Sequence, residues 1–145
     1  MKKTYELAVQ CGQSADRVSQ YIHNTRNVQM SLHVSFRYSD IGFPELILNG
    51  SALSDAGFTA NELFHISQFS NGVIISLVDP HTDLANLINE VENNPYQGID
   101  NIRENGELYI AGDWLTISNL VEQPINIEIQ PDKIILKPKL MEILA

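Results

Sequence analysis

The chain has one cysteine, one tryptophan and no long hydrophobic run. The lone thiol, Cys11, cannot form an internal disulfide, and its place in an apolar alternation predicts a small buried side chain. No segment approaches the roughly 18 to 20 apolar residues of a membrane span. The first residues include two lysines but no sustained apolar stretch behind them, which argues against a signal peptide. These absences predict a cytoplasmic protein without membrane contact.

Positive charge is also scarce: nine Lys and Arg stand against eighteen Asp and Glu, a formal net charge of -9 with a pI near 4.7. Such a balance opposes unspecific binding to polyanions. The imbalance is uneven, because residues 1–44 hold five basic and three acidic side chains whereas residues 45–145 hold four and fifteen. We therefore expect contact with phosphate near the N-terminus. From Asp79 to Asp113, eight acids accompany only Arg103, so this stretch should attract a basic protein surface.

Apolar and polar residues alternate strictly from Val28 to Tyr38, which predicts a strand. A shorter alternation predicts a strand over 5–11. Between them, Ser14 as N-cap and apolar residues at helical spacing predict a short helix over 15–23. Residues 1–44 should therefore form a strand–helix–strand segment.

Two segments match at an offset of 62 residues. Residues 45–53 read ELILNGSAL and residues 107–115 read ELYIAGDWL, so an apolar strand, a glycine and a following leucine coincide. Each continues into a second apolar run, a turn and a returning run, which predicts a hairpin. A unit of this size is too small to bury its own core, so we expect the two copies to supply one to each other.

The chain thus divides into the N-terminal segment, a first unit over 45–77, a helical linker over 78–106, and a second unit with a tail over 107–145. In the linker, Asp79-Pro80 reads as an N-cap followed by proline at the first helical position, which predicts a helix over 80–92. Its apolar stripe is formed by Leu84, Leu87, Ile88 and Val91.

The first unit carries a recognisable pattern: an apolar strand, a glycine, a leucine and then Ala56-Gly57-Phe58, preceded by an Arg37-Tyr38 pair. In these features residues 28–77 resemble the SymE-type toxins, whose units belong to the AbrB and MazE superfamily of swapped-hairpin proteins. Ala52 stands where the family pattern has tryptophan. The second unit matches less closely, keeping Gly112, Trp114 and Leu115.

The resemblance implies a mainly β protein with short helices (α+β), in which tandem AbrB-like units form an intramolecular pseudo-dimer. It also implies a toxin–antitoxin-class protein that acts on or binds nucleic acid, RNA in the first place. Endoribonuclease activity is implied by the resemblance alone, and it identifies no catalytic residues. Swapped-hairpin relatives dimerise and bind DNA through basic residues, so DNA binding and a homodimer are further expectations.

His33 and Arg37 are four residues apart on the polar side of one predicted strand. They are the best adjacent candidates for a general base and for a group that stabilises phosphate charge. The residues expected to contact nucleic acid are Lys2, Lys3, Arg17, Arg26, His33, Arg37 and Tyr38. The four histidines lack the spacing of a metal site, so neither a metal nor a cofactor is predicted.

The charge distribution supports a different hypothesis: an acidic, non-enzymatic antitoxin or immunity protein that binds and neutralises a basic toxin. The side chains expected to contact such a partner are Asp83, Glu90, Glu92, Asp100 and Glu104. A third alternative is a structural oligomer in which the units only build an interface.

Overall fold

A computed structural model describes residues 3–8, 17–19, 21–24, 32–69, 71–118, 120–121 and 124–138. In chain order its elements are β1 (Lys3–Ala8), β2 (Arg17–Ser19), β3 (Tyr21–Asn24), β4 (His33–Tyr38), β5 (Pro44–Asn49), α1 (Ser51–Asp55), β6 (Leu63–Phe69), β7 (Gly72–Leu77), α2 (Leu84–Glu92), β8 (Gln97–Asn101), β9 (Leu108–Ala111), α3 (Asp113–Thr116), β10 (Ile125–Gln130) and β11 (Lys133–Pro138).

The strands form two antiparallel sheets. One has seven strands in the order β3-β1-β10-β11-β7-β6-β8, and the other has four in the order β2-β4-β5-β9. With three short helices among the described residues, the protein is mainly β and fits the α+β class, as predicted. Within the described ranges, no helix is long and apolar enough to cross a membrane.

Alternation along the strands builds one core to which both sheets contribute. On β4, Val34 and Phe36 are buried while His33, Ser35 and Arg37 are exposed, which confirms the predicted alternation for this part of the strand. Residues 28–31 and 9–11 of the two predicted strands lie outside the described residues. The buried cluster continues into β5, β9 and the two hairpins, so among the described residues it lies on one side of the four-stranded sheet. The other side carries exposed and half-buried polar residues, and we call it the open face.

The two units have the predicted architecture of strand, short helix and hairpin: β5-α1-β6-β7 and β9-α3-β10-β11. In each, the helix follows a glycine with positive φ, 127° at Gly50 and 72° at Gly112. This backbone region is costly for residues with a side chain, so the coincidence of the two glycines in the sequence has a local physical cause.

Equivalent strands of the units pair with each other. β5 pairs with β9 so that Ile47 faces Tyr109, the residue 62 positions later. β7 pairs with β11 so that Ile74 faces Ile135, which is 61 positions later. Both hairpin turns have two residues, and the offset is 61 and not 62 because β6 has seven residues and β10 has six. Both pairings are therefore centred on equivalent positions of the repeat.

The strand β8 was not predicted, and it extends the repeat into the linker. It pairs with β6, with Asn101 opposite Leu63. β1 pairs with β10 in the same antiparallel sense, with Leu7 opposite Ile125. Each unit's hairpin is thus flanked by a strand that precedes the other unit in the chain.

The predicted helix over 15–23 is wrong in the described part of that range, which contains the strands β2 and β3. Val18, Tyr21 and Ile22 are β-branched or aromatic, and the edges of β4 and β1 offer them antiparallel partners, which outweighs their helical spacing. The strand–helix–strand prediction for residues 1–44 is corrected accordingly.

The linker helix begins at Leu84, four residues later than predicted. The Asp79 carboxylate accepts from the amide of His81 at 2.8 Å and so closes a turn. Asp83 caps the helix instead, accepting from the amide of Asn86 at 3.2 Å. The linker is therefore a turn, a helix and a strand.

Candidate nucleic-acid interface

Four polar side chains meet on the open face of the four-stranded sheet. Arg37 on β4 is the register partner of Glu45 on β5, and Tyr109 on β9 is the partner of the neighbouring Ile47. Register partners and next-but-one residues of antiparallel strands present their side chains to the same face. Arg103 precedes β9 and joins the group from the edge of the sheet.

These residues form a continuous network. Arg37 Nε donates to Glu45 Oε1 at 2.5 Å, and the Tyr109 hydroxyl donates to Glu45 Oε2 at 2.6 Å, so both carboxylate oxygens are used. The Arg103 guanidinium carbon lies 4.1 Å from the centroid of the Tyr109 ring, within cation–π distance. Arg103 also forms an ion pair of 3.6 Å with Glu107. We call Arg37, Glu45, Arg103, Glu107 and Tyr109 the arginine–tyrosine network.

Hydrogen bonds and burial shift the pKa values of the residues in this network. The Tyr109 hydroxyl, followed by Arg37, lowers the pKa of Glu45, because both stabilise the carboxylate. Burial, followed by the hydrogen bond to Glu45, raises the pKa of Tyr109. The hydrogen bond to Glu45 also raises the pKa of Arg37. At neutral pH the network therefore contains an ionised Glu45 and a neutral tyrosine.

The two guanidinium groups remain accessible although they are held in place. The Arg37 and Arg103 side chains are 45% and 47% exposed, whereas their partners Glu45 and Glu107 are 12% and 25% exposed. Planar guanidinium groups bind phosphate oxygens and stack on rings and bases, so the Arg103 plane that lies over the Tyr109 ring is a surface on which a base can stack. The charges of the two arginines and two glutamates of the network cancel, so the network offers stacking surfaces and hydrogen-bond donors without a net positive charge.

The predicted basic residues that the structure describes are divided between the two sheets. Lys3 lies on β1 of the seven-stranded sheet, whereas Arg17 lies on β2 of the four-stranded sheet as the register partner of Arg37. His33 is exposed on the same side of β4 as Arg37. Lys2 and Arg26 lie outside the described residues.

Tyr38 takes the opposite side of β4. It is partly buried, packs against the core, and meets the ring of Phe36 edge to face at a centroid separation of 5.5 Å. The alternation of the strand thus places Tyr38 on the core side of β4, opposite His33 and Arg37.

The residues predicted to contact a basic partner are all exposed, and they lie along the linker and its exit. Asp83 caps α2, Glu90 and Glu92 are in the last turn of that helix, Asp100 is on β8, and Glu104 is in the turn before β9.

Sequence reasoning missed Glu45, Tyr109 and Arg103 as site residues. A signal was present, because Glu45 and Glu107 open the two aligned segments, and Tyr109 replaces an outward-facing isoleucine of the first copy. The pairing of β5 with β9, which brings these positions together, has no local sequence signal.

In the described part of the chain, no group of three His, Cys, Asp or Glu side chains is arranged to hold a metal ion. Comparison of the sequence and structure with protein-family models, curated proteins and solved structures found no match.

Proposed function

We propose that this chain is a SymE-like protein of the toxin–antitoxin class, and that it binds RNA through the arginine–tyrosine network. The observation that carries the proposal is the placement of Arg103 over the Tyr109 ring, beside the exposed Arg37 on an open sheet face. The family resemblance of residues 28–77 supports the same class of function.

The proposal includes a fold of tandem swapped-hairpin units that act as an intramolecular pseudo-dimer. Its support is the register of the sheets: β5 pairs with β9 and β7 with β11 about equivalent positions. The exchange of flanking strands, β1 onto β10 and β8 onto β6, supports the same arrangement. In this arrangement one chain supplies what two chains of a dimeric relative would supply.

Single-stranded RNA suits this face better than a duplex does. A ring and a guanidinium plane recognise bases that are unstacked and accessible, as in loops and single strands. Binding to duplex DNA draws mainly on phosphate charge and counterion release, and a network of two arginines and two glutamates offers little of either. The net charge of -9 disfavours the duplex further.

Cleavage of the bound RNA is a separate step within this proposal. His33 lies on the same face as Arg37, with Ser35 between them on β4. In that position His33 would take the proton of a ribose 2′-hydroxyl as general base, and the 2′-oxygen would attack the adjacent phosphate and displace the 5′-oxygen, which takes a proton from water. Arg37 would stabilise charge on the phosphate. A His33→Ala variant that binds RNA normally but has lost cleavage would identify this role.

The test is fluorescence anisotropy with a labelled single-stranded RNA and a labelled DNA duplex, at low and at physiological salt. Loss of one stacked or cation–π contact is worth about 1 to 3 kcal/mol, so Arg103→Ala and Tyr109→Leu should each weaken RNA binding about 5- to 150-fold. Tyr109→Phe keeps the ring, and we expect it to retain most of the affinity.

Lys133→Ala is the matched control, because Lys133 is an exposed cation on β11 of the other sheet. We expect its RNA affinity to remain within about twofold of the wild type, since a single exposed charge contributes little. The proposal fails if Arg103→Ala and Arg37→Ala bind RNA as well as Lys133→Ala does, with folding verified by circular dichroism.

A further inference from the structure

A second surface lies next to the helix α2. An open groove with a cavity of about 380 Å³ is formed where β6 begins, β7 ends and α2 begins. Its walls are apolar at Leu63, Val78, Pro80 and Leu84, and its rim carries the carboxylates of Glu62 and Asp79. We propose that this groove binds a Lys or Arg side chain from a cationic amphipathic segment of a partner protein.

The helix beside the groove has apolar surface left to cover. No residue of α2 is buried, although its apolar residues lie on one stripe. Leu87 and Val91 are partly covered, whereas Leu84 and Ile88 are 39% and 42% exposed. Leu84 belongs both to this stripe and to the groove wall, so the two form one continuous apolar surface. Continuous exposed apolar surface of this kind is typical of interaction sites.

The surrounding charge specifies the partner. Residues 79–102 contain no Lys or Arg and five acids, and the five are Asp79, Asp83, Glu90, Glu92 and Asp100. All five side chains are exposed. A surface of one sign attracts and orients a partner of the other sign, and it repels nucleic acid. The occupant is therefore a cationic protein segment.

The groove matches the shape of a long basic side chain. Lys and Arg place a methylene stem along apolar atoms while the charged head stays near water or a carboxylate. Here the stem would lie between Leu63 and Pro80, and the head would reach Glu62 at the rim. One carboxylate oxygen of Asp79 already accepts from the amide of His81, which holds that carboxylate in position.

This surface does not depend on the arginine–tyrosine network, since the two share no residue. It gives physical content to the hypothesis of an acidic protein that neutralises a basic partner. The chain would then hold RNA on one face and a cationic protein on another, or act through the second face alone.

The test uses the full chain and a fluorescein-labelled amphipathic helical peptide built from leucine and arginine. Two matched probes have the same sequence with citrulline or glutamate in place of every arginine. We expect the arginine peptide to bind at least about tenfold more tightly than either probe at low salt, and less tightly as salt is added.

Variants locate the binding. Glu62→Lys and Ile88→Ser should each weaken binding of the arginine peptide at least about fivefold. Their controls make the same changes elsewhere on the surface: Asp40→Lys on an exposed turn and Ile117→Ser on another exposed apolar position. These controls should stay within about twofold of the wild type.

The proposal is overturned if Glu62→Lys and Asp40→Lys weaken binding equally, because attraction would then reflect net charge alone. It is also overturned if the citrulline peptide binds as well as the arginine peptide. If Ile88→Ser changes the sedimentation of the protein by itself, the groove is covered by a second copy of the chain instead. RNA binding by Glu62→Lys should be unchanged, so the two proposals can fail separately.

Discussion

Replacing Gly72 by alanine tests how tightly the two hairpins are joined. Gly72 begins β7, and a Cβ there would overlap the main-chain oxygen of Leu136 on β11 and lie 2.9 Å from Cζ of Phe69. Its φ is outside the left-handed region, so alanine is allowed by the local backbone; the Phe69 ring can shift, and the main chain of the neighbouring strand β11 is what opposes the substitution. The substitution therefore probes the contact between the first and second hairpins.

The expected loss follows from two contributions. Overpacking a filled site costs about 1 to 3 kcal/mol. Moving β11 away from β7 also weakens the hydrogen bonds near the paired residues Val73 and Leu136, at about 1 kcal/mol each. We expect Gly72→Ala to lower the free energy of unfolding by about 2 to 4 kcal/mol, which moves the urea midpoint by about 1 to 2 M.

Gly106→Ala is the matched control for this experiment. Gly106 has a φ of +89° but nothing within 4 Å of an added Cβ, so alanine there meets backbone strain alone, about 1 kcal/mol. Equilibrium urea unfolding of both variants, followed by circular dichroism, makes the comparison. The reasoning is refuted if Gly106→Ala is as destabilising as Gly72→Ala, because the hairpins would then not be in close contact.

Three further substitutions test other parts of the structure. The pKa of Glu45 is lowered in the folded state, so the ionised carboxylate stabilises the fold at pH values above the ordinary pKa near 4.5. This stabilisation is lost as the pH falls through the lowered pKa. In urea unfolding, acidification should therefore destabilise the wild type more than Glu45→Gln. Equal losses of stability in the two proteins would contradict the hydrogen bonding of an ionised Glu45 in the network. Gly98→Ala places a Cβ 2.8 Å from the Trp114 ring, so this single tryptophan should move toward solvent and its fluorescence maximum should shift to longer wavelength; an unchanged maximum would mean that the ring does not pack there. Asp83→Ala removes the N-cap of α2 at about 1 kcal/mol, and because no residue of this helix is buried, hydrogen exchange should accelerate in α2 while global unfolding hardly changes; a large global loss would contradict this.

The local pattern of apolar and polar residues predicted the structure correctly where one face of an element is buried. The alternation that ends at Tyr38 identified β4 and the exposure of His33 and Arg37, because a shift of one residue would place Val34 and Phe36 in water. The same reasoning failed over 15–23. The short apolar stretches there fit both the spacing of a helix and the alternation of a strand. The strands β4 and β1, whose pairing decides between the two, lie elsewhere in the chain.

Periodicity along single strands predicted only part of the candidate site. Arg37 and His33 could be selected because their positions on one strand follow from periodicity. Tyr109 and Arg103 could not, since their relation to Arg37 depends on β9 lying beside β5, more than sixty residues apart in sequence. Cross-strand neighbours are set by which strands pair and in which register, and neither is a property of a local segment.

The sequence by itself determined the units of this protein: the strands with one apolar side, the glycines that precede two short helices, the hairpin turns, and the repeat that makes the units equivalent. These features depend on backbone preferences and on periodic burial, which act over a few residues. Only the tertiary structure decided that β5 pairs with β9, that β8 forms a strand against β6, and that Arg103 covers Tyr109. Those outcomes depend on long-range pairing, in which each strand finds its partner because the shared core is buried when both units are in place.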